Sequence, residues 1–127
     1  MKQYITIIKQ IERELTLKYG RLNLFGLFER EDLKNKWDVI ISVNIPLDTK
    51  NVFLNEVITK FRMKLKPSAI IQISRFIYLE PNHEFVLNIN GATQIENSDV
   101  EISNSTFSNV HIRHAIVLSS FRYQSAG

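Results

Sequence analysis

The acidic side chains around the start of the apolar run at residues 37–45 are the residues best suited to chemistry in this 127-residue chain. Asp38 lies at the beginning of that run, and Glu29 and Glu31 precede it closely. Carboxylates that converge would bind Mg²⁺ for nucleotidyl transfer or for hydrolysis, because this ion prefers several hard oxygen ligands. The usual Asp-x-Asp pair on one strand face is absent, since Ile40 holds the second position.

A carboxylate without such a neighbour is a weak signal for a catalytic centre, because structural ion pairs use the same residue types. We therefore expect Asp38 to pair with a nearby lysine, such as Lys36, at the end of a strand. The sequence predicts no catalytic residue, no metal ligand and no cofactor. Asp38, Glu29 and Glu31 are kept as candidates for one alternative, a small metal-dependent nuclease or hydrolase.

Three histidines are the other side chains suited to acid–base or metal chemistry. His111 and His114 lie three positions apart in a segment that is predicted to be a strand, so their side chains point to opposite faces. They cannot bind one metal ion from that strand, and we expect His114 to be buried and hydrogen-bonded. His83 follows a predicted turn. The sequence has no cysteine, which excludes disulfides, thiol catalysis and cysteine-ligated zinc.

Basic residues cluster near the end of a predicted helix over residues 49–66. Lys60 and Lys64 share one row of that helix, and Arg62 and Lys66 share another. The first 66 residues carry 13 basic and 8 acidic side chains, whereas the remainder carries 3 and 5. This basic face predicts nucleic-acid binding as a second alternative. Cations in the last turn also complement the helix dipole, which is a sufficient structural reason for them.

The composition indicates one folded domain without export or membrane signals. Hydrophobic residues make up 44% of the sequence, which suits a packed core of ordinary size. Lys9 and Glu12 interrupt the apolar pattern of a signal peptide, and no run of about 18 apolar residues is present to cross a membrane. We expect a cytoplasmic protein with one domain over residues 1–122 and a flexible tail over 123–127.

Two amphipathic helices are predicted from apolar residues that recur every three or four positions. The first, residues 3–19, has an apolar stripe of Tyr4, Ile8, Ile11 and Leu15. Its charged side chains lie mostly off that stripe, at Glu12, Arg13, Glu14 and Lys18. The second, residues 49–65, carries its stripe at Phe53, Leu54, Val57, Ile58, Phe61 and Leu65.

Strand patterns occur in five segments, residues 21–28, 37–45, 71–79, 99–103 and 109–119. Gly26, inside the first of them, predicts a bulge or a close backbone approach. Residues 83–90 fit a strand or a short helix, and the residues on either side slightly favour the helix. A weak five-residue repeat over residues 98–119 is typical of solenoids, but it makes a single coil, so a hairpin is the preferred interpretation.

The predicted fold is α+β: a single domain with a mainly antiparallel sheet, two main helices packed on one face, and the order α-β-β-α-β-(α)-β-β. This element order resembles small α/β scaffolds of the roadblock or profilin-like type, which mostly serve as interaction modules. Every catalytic template lacks an essential member. The sequence therefore favours a non-enzymatic protein-interaction or regulatory subunit that joins a protein partner or a second copy through a sheet edge.

Overall fold

The computed structural model describes residues 1–123, and within them the chain forms four α-helices and five β-strands. The helices are α1 (Ile5–Tyr19), α2 (Lys50–Lys64), α3 (Pro67–Ile70) and α4 (Glu84–Ala92), with short 3-10 turns at Lys2–Tyr4 and Leu47–Thr49. The strands are β1 (Leu24–Glu29), β2 (Trp37–Ser42), β3 (Ile73–Tyr78), β4 (Val100–Phe107) and β5 (Val110–Ser120). The predicted α+β class and element order are confirmed, and the ambiguous segment 83–90 is helical.

Apart from Tyr123, the predicted tail lies outside the described residues. No helix in the described part of the chain is both long and apolar enough to cross a membrane.

The five strands form one mixed sheet in the order β3-β2-β1-β5-β4. β1 pairs antiparallel with both β2 and β5, and β4 pairs antiparallel with β5. β2 and β3 are parallel because α2 carries the chain back across the sheet between them. The repeat region forms a hairpin, as predicted, but β4 extends to Phe107, and the turn consists of Ser108 and Asn109, both with positive φ.

The two long helices cover one face of the sheet, called here the first face, which confirms their predicted placement. The strands contribute to this core the side chains of Phe25, Leu27, Trp37, Val39, Ile41 and Ile116. Phe61 of α2 is fully buried among them, with its ring 6.2 Å from that of Phe25 and 5.2 Å from that of Phe76. Because strand side chains alternate, the residues between these positions point to the second face.

The short helix α4 covers part of the second face. Phe85 of α4 packs on Phe28 of β1, with ring centroids 5.6 Å apart. The other buried members of this smaller core are Leu24, Val86, Ile89, Ile112, Ala115 and Val117. The main contacts of α4 are with β1 and β4, so the side of this face formed by β2 and β3 remains an open groove.

Glu12 departs from the predicted helix pattern, because its side chain is buried in α1 with 1% of its surface exposed. Its Oε1 accepts hydrogen bonds from the hydroxyls of Thr16, at 2.7 Å, and Ser119, at 2.9 Å. Its Oε2 accepts one from the amide of Asn97, at 2.5 Å. This carboxylate therefore ties α1 to β5 and to the segment before β4.

Gly26 lies where the pairing of β1 with β5 shifts register, as its predicted role requires. A Cβ atom at this position would lie 2.8 Å from the ring of Phe28 and 3.3 Å from the carbonyl oxygen of Ile116. We expect Gly26→Ala to lower the free energy of unfolding by about 1 to 2 kcal/mol through overpacking, as measured by urea denaturation.

Gly91→Ala is the matched control for this substitution. Apart from its chain neighbours and the adjacent backbone of α4, no atom of the described residues lies within 4 Å of the Cβ position at Gly91, and alanine is favourable within a helix such as α4. Equal losses of stability in the two variants would contradict the steric explanation.

Candidate functional site

The open groove on the second face is the main candidate for a functional site. Its volume is about 580 Å³, and it extends from β3 across β2 and β1 to the tip of the β4–β5 hairpin and the start of α4. Its apolar floor consists of Phe28, Ile40, Ile77, Leu79, Phe85 and Ile112. Charged side chains surround that floor, at Glu29, Arg30, Glu31, Asp32, Asp38 and Arg75. The groove therefore combines apolar surface with charges of both signs.

Asp38 projects onto the second face of β2, where it pairs with Arg75 of the neighbouring strand. The Nε and Nη2 atoms of Arg75 donate to the two carboxylate oxygens at 3.0 and 2.5 Å. The Asp38 residue is 6% exposed, and its hydrogen bonds raise the pKa of the Arg75 guanidinium. The expected ion pair thus exists, but the expected partner was wrong, because Lys36 instead donates to the carbonyl of Ile71 at 2.6 Å.

A second arginine–carboxylate pair borders the groove in the loop after β1. Arg30 donates to both oxygens of Asp32, from Nε at 2.9 Å and from Nη2 at 2.7 Å. The hydrogen bonds from Arg30 lower the pKa of Asp32, and the same interaction raises the pKa of Arg30. The Nη1 atom of Arg30 also donates to the hydroxyl of Ser74 at 2.9 Å. The loop is thereby fixed beside the start of β3.

The candidate carboxylates Glu29 and Glu31 line the same groove as Asp38, but each interacts with a different basic group. Glu29 pairs with Arg113 at 3.0 Å, and Glu31 lies 3.4 Å from Nε2 of His111. Among residues 1–123, no three histidine, aspartate or glutamate side chains are placed to bind one metal ion. The structure brings the three carboxylates to one groove without joining them in a single cluster.

Two of the three histidines, His83 and His114, make hydrogen-bonding contacts within the fold. His83 precedes α4, and its Nδ1 atom accepts a hydrogen bond from the backbone N–H of Phe85 at 3.1 Å. Nε2 of His114 lies 2.9 Å from Oε1 of Glu101, and its ring centroid is 5.2 Å from that of Trp37. The prediction of a hydrogen-bonded His114 is therefore correct, but its side chain is 30% exposed and not buried.

The four residues of the predicted basic face have different surroundings in the structure. Lys60 donates to Oε1 of Glu14 on α1 at 2.8 Å, and Lys64 forms an ion pair with Oε2 at 3.0 Å. The hydrogen bond from Lys60 is the main cause of the lowered pKa of Glu14. The helix ends at Lys64, so Lys66 lies beyond α2 and precedes α3. Arg62 and Lys66 are exposed. Of the two predicted rows, the one with Lys60 and Lys64 is paired with Glu14, whereas the other has exposed side chains and only Arg62 of it lies in α2.

Sequence reasoning missed Arg30, Arg75 and the apolar floor as parts of one site. Arg75 stands in a predicted strand, but its pairing with Asp38 depends on the parallel register of β2 and β3. The alternation of side chains along β2 places Asp38 and Ile40 on the same face of the sheet. This pattern could have indicated that the second face carries both charged and apolar side chains.

Scans of protein-family models and searches of curated proteins and of solved structures found no match to this chain. The resemblance of its element order to roadblock or profilin-like scaffolds therefore stays a prediction.

Proposed function

We propose that this protein is a non-enzymatic interaction module that associates with itself or a partner through the free edge of β3. The observation that carries this proposal is the position of β3 at one end of the sheet, where β2 is its neighbour on one side. Half-buried apolar side chains lie along this strand at Phe76, Ile77 and Tyr78. An edge strand with unpaired backbone groups and apolar side chains favours pairing with another chain.

The backbone groups available on β3 follow from its hydrogen-bonding pattern. The N–H of Leu79 donates to the carbonyl of Ile41 on β2 at 3.0 Å. Because successive residues of a strand direct their N–H and C=O groups to opposite sides, Phe76 and Tyr78 direct theirs away from β2. These two residues supply the donors and acceptors that an added strand would pair with.

The opposite edge of the sheet is less suited to strand addition. Asn104 interrupts the pairing of β4 with β5 and has a φ of 48°. A bulge of this kind twists an edge away from regular pairing. Exposed polar residues also line β4, at Glu101, Ser103, Asn104 and Thr106.

Solution mass across a concentration series tests the self-associating form of this proposal. We expect a dimer that dissociates on dilution, and Ile77→Lys should raise its dissociation constant about ten-fold or more, because a lysine on an edge strand opposes pairing. Thr106→Lys places the same charge on β4 and should leave the dissociation constant unchanged. A monomer at all concentrations, or equal effects of the two substitutions, would contradict self-association through β3.

The two alternative functions have less support from the geometry. Lys60 and Lys64 are already paired with Glu14, which reduces the charge that they offer to a nucleic-acid backbone. Asp38 is held by Arg75, so it is not arranged as one of several convergent metal ligands.

A further inference from the structure

We propose that the groove on the second face binds a segment of a partner protein that carries apolar side chains next to a lysine or arginine. This inference rests on the proposed role as an interaction module and adds the chemistry of the partner. Ile77 belongs both to the edge strand β3 and to the groove floor, whereas Glu31 lies in the groove border outside β3. A substitution at Glu31 therefore tests the groove separately from the β3 edge.

The dimensions of the groove suit a polypeptide segment. Its volume of about 580 Å³ falls within the range of roughly 300–1,000 Å³ that is typical of ligand sites. Its lining residues come from β3, β2, β1 and β5, so a bound segment would lie across several strands.

The floor of the groove calls for apolar side chains on the partner. Ile40 lies in β2, Ile77 lies in β3, and Leu79 follows β3 directly. All three side chains line the groove and are only partly buried. Phe28, Phe85 and Ile112 border this surface toward α4 and β5, but they are already buried in the smaller core. A partner that covers Ile40, Ile77 and Leu79 would remove apolar surface from water, at about 25 cal/mol per Å².

The charges of the groove favour a basic residue on the partner. The lining has four carboxylates, Glu29, Glu31, Asp32 and Asp38, and two guanidinium groups, Arg30 and Arg75. Each of these arginines is already paired with an aspartate through two hydrogen bonds.

Glu31 is the carboxylate of this set with the weakest pairing. Its side chain is 51% exposed, and it lies 3.4 Å from Nε2 of His111, an imidazole that carries a charge only when it is protonated. Glu29, by contrast, is 14% exposed and is held by Arg113 at 3.0 Å. The charge left to attract a partner is therefore negative and lies where the chain leaves β1.

Selection from a random peptide library displayed on phage, with the intact protein as the target, tests this inference. We expect the selected peptides to combine aliphatic or aromatic residues with lysine or arginine. Synthetic versions should bind Glu31→Lys about ten-fold more weakly than the unmodified protein at low salt, because the substitution replaces attraction with repulsion. Added salt should reduce this difference.

Glu96→Lys is the matched control, since its side chain is 53% exposed and it lies outside the groove. It should leave the affinity for the selected peptides unchanged. No enrichment over a blank support, enrichment of acidic or purely polar peptides, or equal weakening by Glu96→Lys would overturn the inference. A protein that is monomeric but selects basic apolar peptides in a Glu31-dependent manner would contradict self-association alone and would support the groove.

Discussion

Glu12→Ala is expected to lower the free energy of unfolding by about 3 to 4 kcal/mol, because three buried or partly buried donors lose their acceptor. The hydroxyls of Thr16 and Ser119 and the amide of Asn97 all donate to this carboxylate. Alanine also leaves a space between α1 and β5. Urea unfolding followed by the fluorescence of Trp37, the single tryptophan of the sequence, measures the effect.

Glu12→Gln separates the loss of the acceptor from the loss of volume. The glutamine side chain keeps one oxygen acceptor but presents an NH₂ group to one of the former donors, so an intermediate loss is expected.

Glu14→Ala is the control on the same helix. Glu14 makes ion pairs with Lys60 and Lys64 at the surface, and surface ion pairs contribute little to stability. A Glu14→Ala variant that unfolds as easily as Glu12→Ala would show that the buried hydrogen bonds of Glu12 have no special role.

Arg75→Met is expected to lower the free energy of unfolding by about 2 to 3 kcal/mol, because it leaves the buried Asp38 carboxylate without its cation. Asp38 is 6% exposed, whereas the side chain of Arg75 is 55% exposed. The pair is therefore asymmetric. Asp38→Asn should cost less, since water can reach the guanidinium that remains.

The double variant Asp38→Asn/Arg75→Met tests this asymmetry in urea denaturation. It should recover much of the stability that Arg75→Met loses, because no buried carboxylate is left without its cation at position 38. Losses that simply add in the double variant would show that the two residues stabilise the fold independently.

The sequence by itself determined the elements of this fold, because hydrophobic periodicity is a local property. The helical stripe through Ile8, Ile11 and Leu15 and the alternation from Trp37 to Ile41 predicted α1 and β2, and both stripes are buried as expected. The close approach at Gly26 was also predictable, since glycine weakens a strand and is usually found there at a bulge or against a neighbouring backbone. The α+β order followed from these segments.

Only the tertiary structure decided which polar residues meet. Asp38 and Arg75 are 37 positions apart and meet through the parallel register of β2 and β3, whereas Lys36, the expected partner, is its near neighbour in sequence. Glu12 and Ser119 are 107 positions apart, and nothing in the helical pattern distinguishes Glu12 from the surface charges beside it.

The groove likewise depends on which face α4 covers and how far it reaches across the sheet. Local patterns record whether a residue is apolar or charged. The crossover connections of the chain decide which strands are neighbours, and the register of strand pairing decides which residues come into contact. Residues that are far apart in the sequence are brought together in this way.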